Sequence, residues 1–560
     1  HTHLSSGTNL VLPRTEKEEI LADIWRQVLG VETIGVHDSF FALGGDSIKA
    51  IQMNARLKER LLHLDVKDLF QRKTIAELAP LIKQKSEKSE QGIVTGHAPL
   101  TPIQHWFFAG ERNDVHHYNH AIMLYRKEGF DPRMVEEVLT TLLQHHDALR
   151  MVFTFEENRV IPYNRGMEEE LFTFQVVDLA DDPDFAQKVE EHANRLQRSI
   201  ELQTGPLVKV GLFTSVDGDH LLLVIHHLVV DGVSWRIILE DFAKAYQQIQ
   251  QREEIKLPKK TDSFKQRAEQ ITPYNKNQRL KKEYAYWRKT VQTPVSSLPV
   301  DVVVHQNRII DTKTQSFTLD PEKTDQLLRH IHQAYNTQVN DVLLAALGLA
   351  IKEWSGLDKI LLDLEGHGRE DILPELDISR TVGWFTSIYP VLLSTERAEN
   401  LEYQIKFAKQ SLRQIPKNGI GYGILRYGSE DNEDESLNYT APISFNYLGQ
   451  FDQDMPEHLV QISPHYTGEA ISKEYTRKHS LEFIGMVERG QFTLSLTYNS
   501  KEYNEETILQ LLTSLNKNVL SIIEHCMKKE ETTVTPSDLG YSKMSIEGLS
   551  KLQNLLSRKL

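Results

Sequence analysis

Cysteine is almost absent: Cys526 is the one cysteine in 560 residues. That excludes an internal disulfide and a cysteine-built metal centre, and it fits a reducing cytoplasm as the expected location. Within a helical stretch a lone thiol reads as a small packing residue. Long apolar runs are missing as well. The longest aliphatic stretch, Val342 to Ile351, is about half of the roughly 20 residues that span a bilayer. The opening His1-Thr2-His3 lacks the charged-then-apolar pattern of a signal peptide. Neither a membrane partner nor export is expected. Positive charge is in deficit, with 64 Lys and Arg against 79 Asp and Glu for a net charge of -15. Such a surface repels phosphate backbones, so no nucleic-acid partner is expected. The acidic run Asp431-Asn432-Glu433-Asp434-Glu435 reads as a solvated turn.

The composition is that of an ordinary folded protein, 40% hydrophobic and 26% charged, and the length calls for about three compact units. Residues 12–84 read as a small bundle of four helices. Its first helix, Glu16 to Leu29, places Ile20, Leu21, Ile24, Trp25 and Val28 on one face. A glycine-bearing loop follows, a second helix opens at Ser47, and a short helix from Val66 to Phe70 precedes a last one from Ile75 to Ile82. Residues 85–97, polar and poor in core candidates, read as a linker. Residues 98–532 alternate strand and helix patterns, as two α/β lobes of about 98–280 and 281–532. Strands are expected at Ala121–Tyr125, Val208–Phe213, Leu221–Ile225, Thr314–Leu319, Ile360–Glu365 and Ser387–Leu393. Helices are expected at Met134–His145, Val233–Gln247, Thr324–Ala334 and Val339–Trp354. Residues 533–560 form a separate tail, where Ser537 or Ser545 would cap a helix carrying Ile546, Leu549, Leu552 and Leu556 on one stripe.

Three motifs carry the chemistry. In Asp38-Ser39-Phe40-Phe41-Ala42-Leu43-Gly44-Gly45-Asp46-Ser47, a serine at a helix start has a bland explanation as an N-cap. The same placement also suits phosphate attachment, because the glycines keep the approach open and the helix N-terminus favours an anion. His226-His227 ends an aliphatic strand and is followed by Asp231-Gly232. Alternation along a strand lets only one histidine enter a given pocket, and Gly232 would permit the turn into the next helix. The third motif is Glu365-Gly366-His367-Gly368-Arg369-Glu370 at the end of another strand. Trp106 and Trp384, set among aliphatics, read as core.

Together these stretches resemble the carrier and epimerization domains of nonribosomal peptide synthetases. Shorter stretches agree in order, among them Pro102-Ile103-Gln104-His105-Trp106-Phe107, Arg380-Thr381-Val382-Gly383-Trp384-Phe385 and Phe445-Asn446-Tyr447-Leu448-Gly449. The resemblance implies a four-helix carrier bundle followed by a two-lobed α/β domain of the condensation/chloramphenicol acetyltransferase-like superfamily. It implies that Ser47 carries covalent 4′-phosphopantetheine, that His227 and Glu365 are the catalytic pair, and that His226 and Asp231 support the loop. Asn446 and Tyr447 are candidate donors to an enolate by motif position, and Arg369 is a candidate partner for Asp231. The implied reaction inverts Cα of a tethered L-aminoacyl thioester, whose carbonyl acidifies the Cα proton without metal or pyridoxal phosphate. Which of His227 and Glu365 takes the proton from the L-form is left open by the sequence. The likeness to initiating subunits of peptide-antibiotic synthetases implies phenylalanine as substrate and a Bacillus-type cytoplasm. Implied partners are an upstream adenylation domain, a phosphopantetheinyl transferase and, through the tail, a downstream condensation domain. Two alternatives stand beside this reading: a condensation domain that forms a peptide bond, and a noncatalytic module that docks carriers.

Overall fold

The computed structural model describes residues 10–84, 89–110, 113–157, 159–395, 400–428, 435–450, 460–541, 544–549 and 551. The acidic residues 431–434, linker residues 85–88, and Leu552 and Leu556 of the expected terminal helix lie outside the described residues.

The first unit forms around one apolar cluster of Leu21, Ile24, Trp25, Phe40, Met53, Leu57, Leu69, Ile75 and Leu78. Helix Glu16–Leu29 starts at a reciprocal capping box between Thr15 and Glu18 and stops at left-handed Gly30. Trp25 meets Phe40 edge-on at 5.0 Å. Phe40 in turn fixes the loop ahead of Ser47, because a Cβ at Gly45 would lie 2.3 Å from its ring. The second helix runs Ser47–Glu59, and its N-cap is Asp46, whose side chain accepts from the Lys49 amide. The capping explanation for Ser47 therefore fails: Asp46 fills that role and leaves the serine hydroxyl at the first helical position. The last expected helix is shorter than its apolar pattern, Ile75–Leu78, because Pro80 turns the chain into the 3₁₀ segment Ala79–Leu81.

Residues beyond 96 build two larger sheets and a small one. The first large sheet orders Gln461–Ile462, Asn119–Arg126, Asp219–His226, Val208–Thr214 and Thr173–Asp178. The second orders Thr312–Thr318, Gln491–Asn499, Leu481–Glu488, Ile443–Gln450, Lys359–Gly366 and Ser387–Ser394. Asp219–His226 is buried along its whole length, as an aliphatic central strand should be. Helices Pro132–His145 and Gly232–Gln250 pack on the first sheet, and Val339–Ser355 and Glu505–Met527 pack together on the second. Cys526 lies buried in the last of these.

The halves interlock. Gln461–Ile462, from the C-terminal half, pairs with Leu124 and Tyr125 at the edge of the first sheet. Val382, Trp384, Phe385, Val460 and Tyr475 likewise enter the first core. The expected single helix Thr324–Ala334 is instead three pieces: α-helical Pro321–Asp325, a wider π-helical turn Gln326–His330 and 3₁₀ Ile331–Ala334. Asp320 caps it and Pro321 starts it early, out of phase with the apolar pattern. The beginning of the tail lies on the second lobe, where Thr535 caps the turn Pro536–Leu539 and the Lys409 ammonium bonds both oxygens of Asp538. Ser545 Oγ accepts from Gly548 N, while Ser537 N donates to Gln410. No helix among the described residues is long and apolar enough to cross a membrane.

Candidate active site

A continuous cavity of about 2550 Å³ lies between the two large sheets, and Ser47, His227, Glu365, Asn446 and Tyr447 all line it. The strand Asp219–His226 delivers the double histidine to one wall. His226 turns away: its Nε2 lies 2.9 Å from the Val115 carbonyl, and its Nδ1 accepts from Leu228 N. Burial drives its pKa down to about 3, so it is a neutral structural ring. His227 faces the cavity. Its Nδ1 lies 2.7 Å from the carbonyl of Val230, which only accepts. In the neutral ring the proton therefore sits on Nδ1, and Nε2 keeps its lone pair. Burial lowers the His227 pKa, with the Val230 bond opposing. Among the described residues no donor occupies Nε2.

Aromatic rings hold His227 in place. Tyr118 stacks at 5.5 Å with planes 8° apart, Trp384 lies at 4.3 Å and His120 at 3.8 Å between ring centroids. Trp384 is core, as expected, and is also a wall of the histidine; Trp106 is only partly buried and meets Trp384 edge-on at 6.3 Å. Tyr118 and His120 are site residues that sequence reasoning missed. They flank the start of the neighbouring strand, and no motif joins them to His227; only antiparallel pairing of Asn119 with His226 does.

The loop after His227 rests on Asp231, which caps helix Gly232–Gln250 through Ser234 N and accepts from Phe385 N at 2.9 Å. The Arg369 guanidinium lies 3.3 Å from Asp231, bonds Ser234 Oγ and the carbonyls of Ile378 and Thr381, and stacks on Phe385. The expected Asp231–Arg369 pair is thus present, tying the His227 loop to the Glu365 segment. Gly232 differs from expectation. It is not among the positive-φ residues, and a Cβ there would meet nothing within 4 Å. The turn does not need glycine; the residue leaves open space at the cavity.

Glu365 lies near the end of strand Lys359–Gly366 on the second sheet. Asn446, from the adjacent parallel strand, donates to its Oε2 at 2.6 Å. Burial raises the Glu365 pKa to about 7, with His479 opposing and Glu482 and Asp363 reinforcing. Asn446 is thereby spent on the carboxylate and orients it. Tyr447 lies beside it in the lining, its phenol held protonated by burial and by Asp46.

Ser47 is exposed and opens on the same cavity. Its helix is docked by Lys49 on Gln450, Arg56 on Glu240 at 2.5 Å, and Lys58 on Asp377 at 2.8 Å. A Cβ at left-handed Gly44 would lie 3.3 Å from Arg329 Nε, so a guanidinium stands against the loop before the serine. A free hydroxyl at a helix N-terminus fits a phosphodiester linkage. Among the described residues, two His and Asp groups, His145/His146/Asp241 and His63/Asp65/Asp371, stand close enough to hold a cation. The first is already committed to structure, since Asp241 bonds His146 at 2.9 Å and Arg380 at 2.5 Å.

A small helical unit whose exposed serine opens on a cavity between two sheets precedes a two-lobed α/β unit. Residues 94–545 match the condensation-domain family and residues 19–82 the phosphopantetheine attachment site family. The chain belongs to the condensation-domain family, preceded by a phosphopantetheine carrier domain of the kind found in nonribosomal peptide synthetases. It is 48% identical over 547 residues to tyrocidine synthase 2 of Brevibacillus parabrevis, matching 97% of this chain and 15% of that protein. It is 44% identical over 559 residues to gramicidin S synthase 1 of Brevibacillus brevis, matching 98% of this chain and 51% of that protein. The chain therefore spans about half or less of these relatives. Among solved structures, the epimerization domain from the third module of tyrocidine synthetase B aligns with a TM-score of 0.76 at 47% identity, covering 80% of this chain and all of that one. The first condensation domain of the CDA synthetase shares the fold, with a TM-score of 0.54 at 18% identity over 78% of this chain and 98% of that one.

Proposed function

We propose that this chain is an epimerase acting on its own carrier: the thioester of an L-aminoacyl group tethered to Ser47 is converted to the D-epimer. The observation that carries the reading is the placement of a free imidazole nitrogen and a carboxyl of near-neutral pKa on walls of the cavity that Ser47 opens into. One group removes the Cα proton, the electron pair of the broken C–H bond moves into the thioester carbonyl, and the other returns a proton to the opposite face. Each acid/base group contributes about 10² to 10⁴-fold, so a donor to the enolate oxygen must add to them. Tyr447 Oη is our candidate. Asn446 serves by fixing Glu365, and Arg369 and Asp231 by fixing the His227 loop.

Phenylalanine heads the substrate panel, as the resemblance to initiating synthetase subunits implies. The proposed partners are an adenylation domain to supply the aminoacyl group, a phosphopantetheinyl transferase to modify Ser47, and a downstream condensation domain reached through the tail from residue 533.

The test is to load the protein from L-phenylalanyl coenzyme A with a phosphopantetheinyl transferase in heavy water, hydrolyse the thioester, and measure chirality and mass. D-phenylalanine carrying deuterium at Cα is expected. Full loading with unlabelled L-phenylalanine would overturn the epimerase reading in favour of condensation or docking. Absence of loading would overturn the assignment of Ser47.

A further inference from the structure

Beneath Glu365 lies a buried ionic cluster that the reaction as written does not use. Asp363 and Glu365 are two apart on one strand and so share a face of the sheet. Asp363 lies in register with Ser444, and Ser444 with Glu482. One step further along the strands, Asn446 bonds Glu365 and lies in register with Ile484. The sheet thus carries a row of Asp363, Ser444 and Glu482 directly behind the row that holds the Glu365 carboxyl, about 7 Å away. His479 bridges the rear row. Its Nε2 is 2.7 Å from Asp363 and its Nδ1 3.8 Å from Glu482. Asp363, wholly buried, also accepts from the Tyr439 hydroxyl and from Lys478 at 3.2 Å, and Arg477 pairs with Glu482 at 3.0 Å.

We infer that His479, held between Asp363 and Glu482, is a positioning residue that sets the protonation of Glu365 through its charge. The inference rests on the epimerase reading. Burial works against a charged His479, yet its hydrogen bond to Asp363 and the nearby Glu482 carboxylate hold its pKa above the ordinary imidazole value, which favours the cation. Its charge stabilises the Glu365 carboxylate, while Glu482 and Asp363 stabilise the acid. Among the other groups near Glu365, Asn446 from the adjacent strand is neutral and the register partner Ile388 on the far side is apolar, while His227 and His120 across the cavity are held neutral by burial. Lys478 and Arg477 act from the outer edge of the cluster.

The test uses deuterium exchange at Cα of the loaded protein against pH, in wild type, His479→Gln and Glu482→Gln. The alkaline limb, set by loss of the Glu365 proton, is expected to move up by roughly one to two pH units in His479→Gln and down by a comparable amount in Glu482→Gln, as unit charges at this distance require. The acid limb, set by His227, is expected to stay in place. A purely structural role would lower exchange in both variants without moving the limb in opposite directions, and that result, or no shift, would overturn the inference. Should near-UV circular dichroism show that His479→Gln does not fold, Lys478→Met, whose side chain is 34% exposed, takes its place, with an upward shift expected and no shift overturning the idea. Absence of exchange in loaded wild type would overturn the epimerase reading itself.

Discussion

His227 and Glu365 meet the same cavity with opposite protonation tendencies, since burial pushes an imidazole toward its neutral base and a carboxyl toward its neutral acid. A two-face proton transfer needs one proton on the pair, in either direction. Exchange is therefore expected to follow a bell in pH, with an acid limb below 6.5 and an alkaline limb near 7, read as properties of the pair. Glu365→Gln is expected to cut Cα exchange by about 10² to 10⁴-fold while carrier loading is unchanged, a comparison made by mass spectrometry. Arg369→Met removes the cation from a side chain buried with Asp231 and is expected to cost about 3 kcal/mol or more in denaturant unfolding. At this scale Ser47, His227 and Glu365 were legible because each ends or begins an element inside a contiguous motif. Asp363, His479 and Glu482 were not, because a row across three strands leaves no spacing in the chain. Tyr118 and His120 escaped notice for the same reason.

Elements were read best where one periodicity ran unopposed. Helix Glu16–Leu29 has the expected bounds, and Asp219–His226 extends the expected Leu221–Ile225 strand by a few residues. Capping and proline chemistry decided the exceptions: Asp46 displaced Ser47 as cap, Pro80 cut short a helix, and Pro321 started another early. The second carrier helix sits on the cavity rim through polar contacts that its apolar pattern could not announce. Arg56 bonds Glu240, and Glu240 also accepts from Arg380 at 2.7 Å. Arg56→Glu would place like charges together there. It is expected to slow exchange of the Ser47-bound substrate several-fold, with little change for a free aminoacyl-pantetheine analogue. Equal losses on tethered and free substrates would show that this contact does not dock the carrier.

At the scale of the whole molecule, the two α/β halves were legible from alternating patterns, but their entanglement was not. Two residues at Gln461–Ile462 and a few apolar side chains from the second half complete the first half's sheet and core. Residues 98–280 expressed alone would keep an open strand edge at Asn119–Arg126 and are expected to aggregate, as light scattering would show. The cross-over strand also limits recombination between related synthetases. A splice placed between the halves must preserve the pairing of Gln461 with Tyr125 and Ile462 with Leu124, whereas a junction in the polar stretch before residue 94 disturbs no register. The natural unit of exchange is therefore the interlocked pair of lobes, passed on whole.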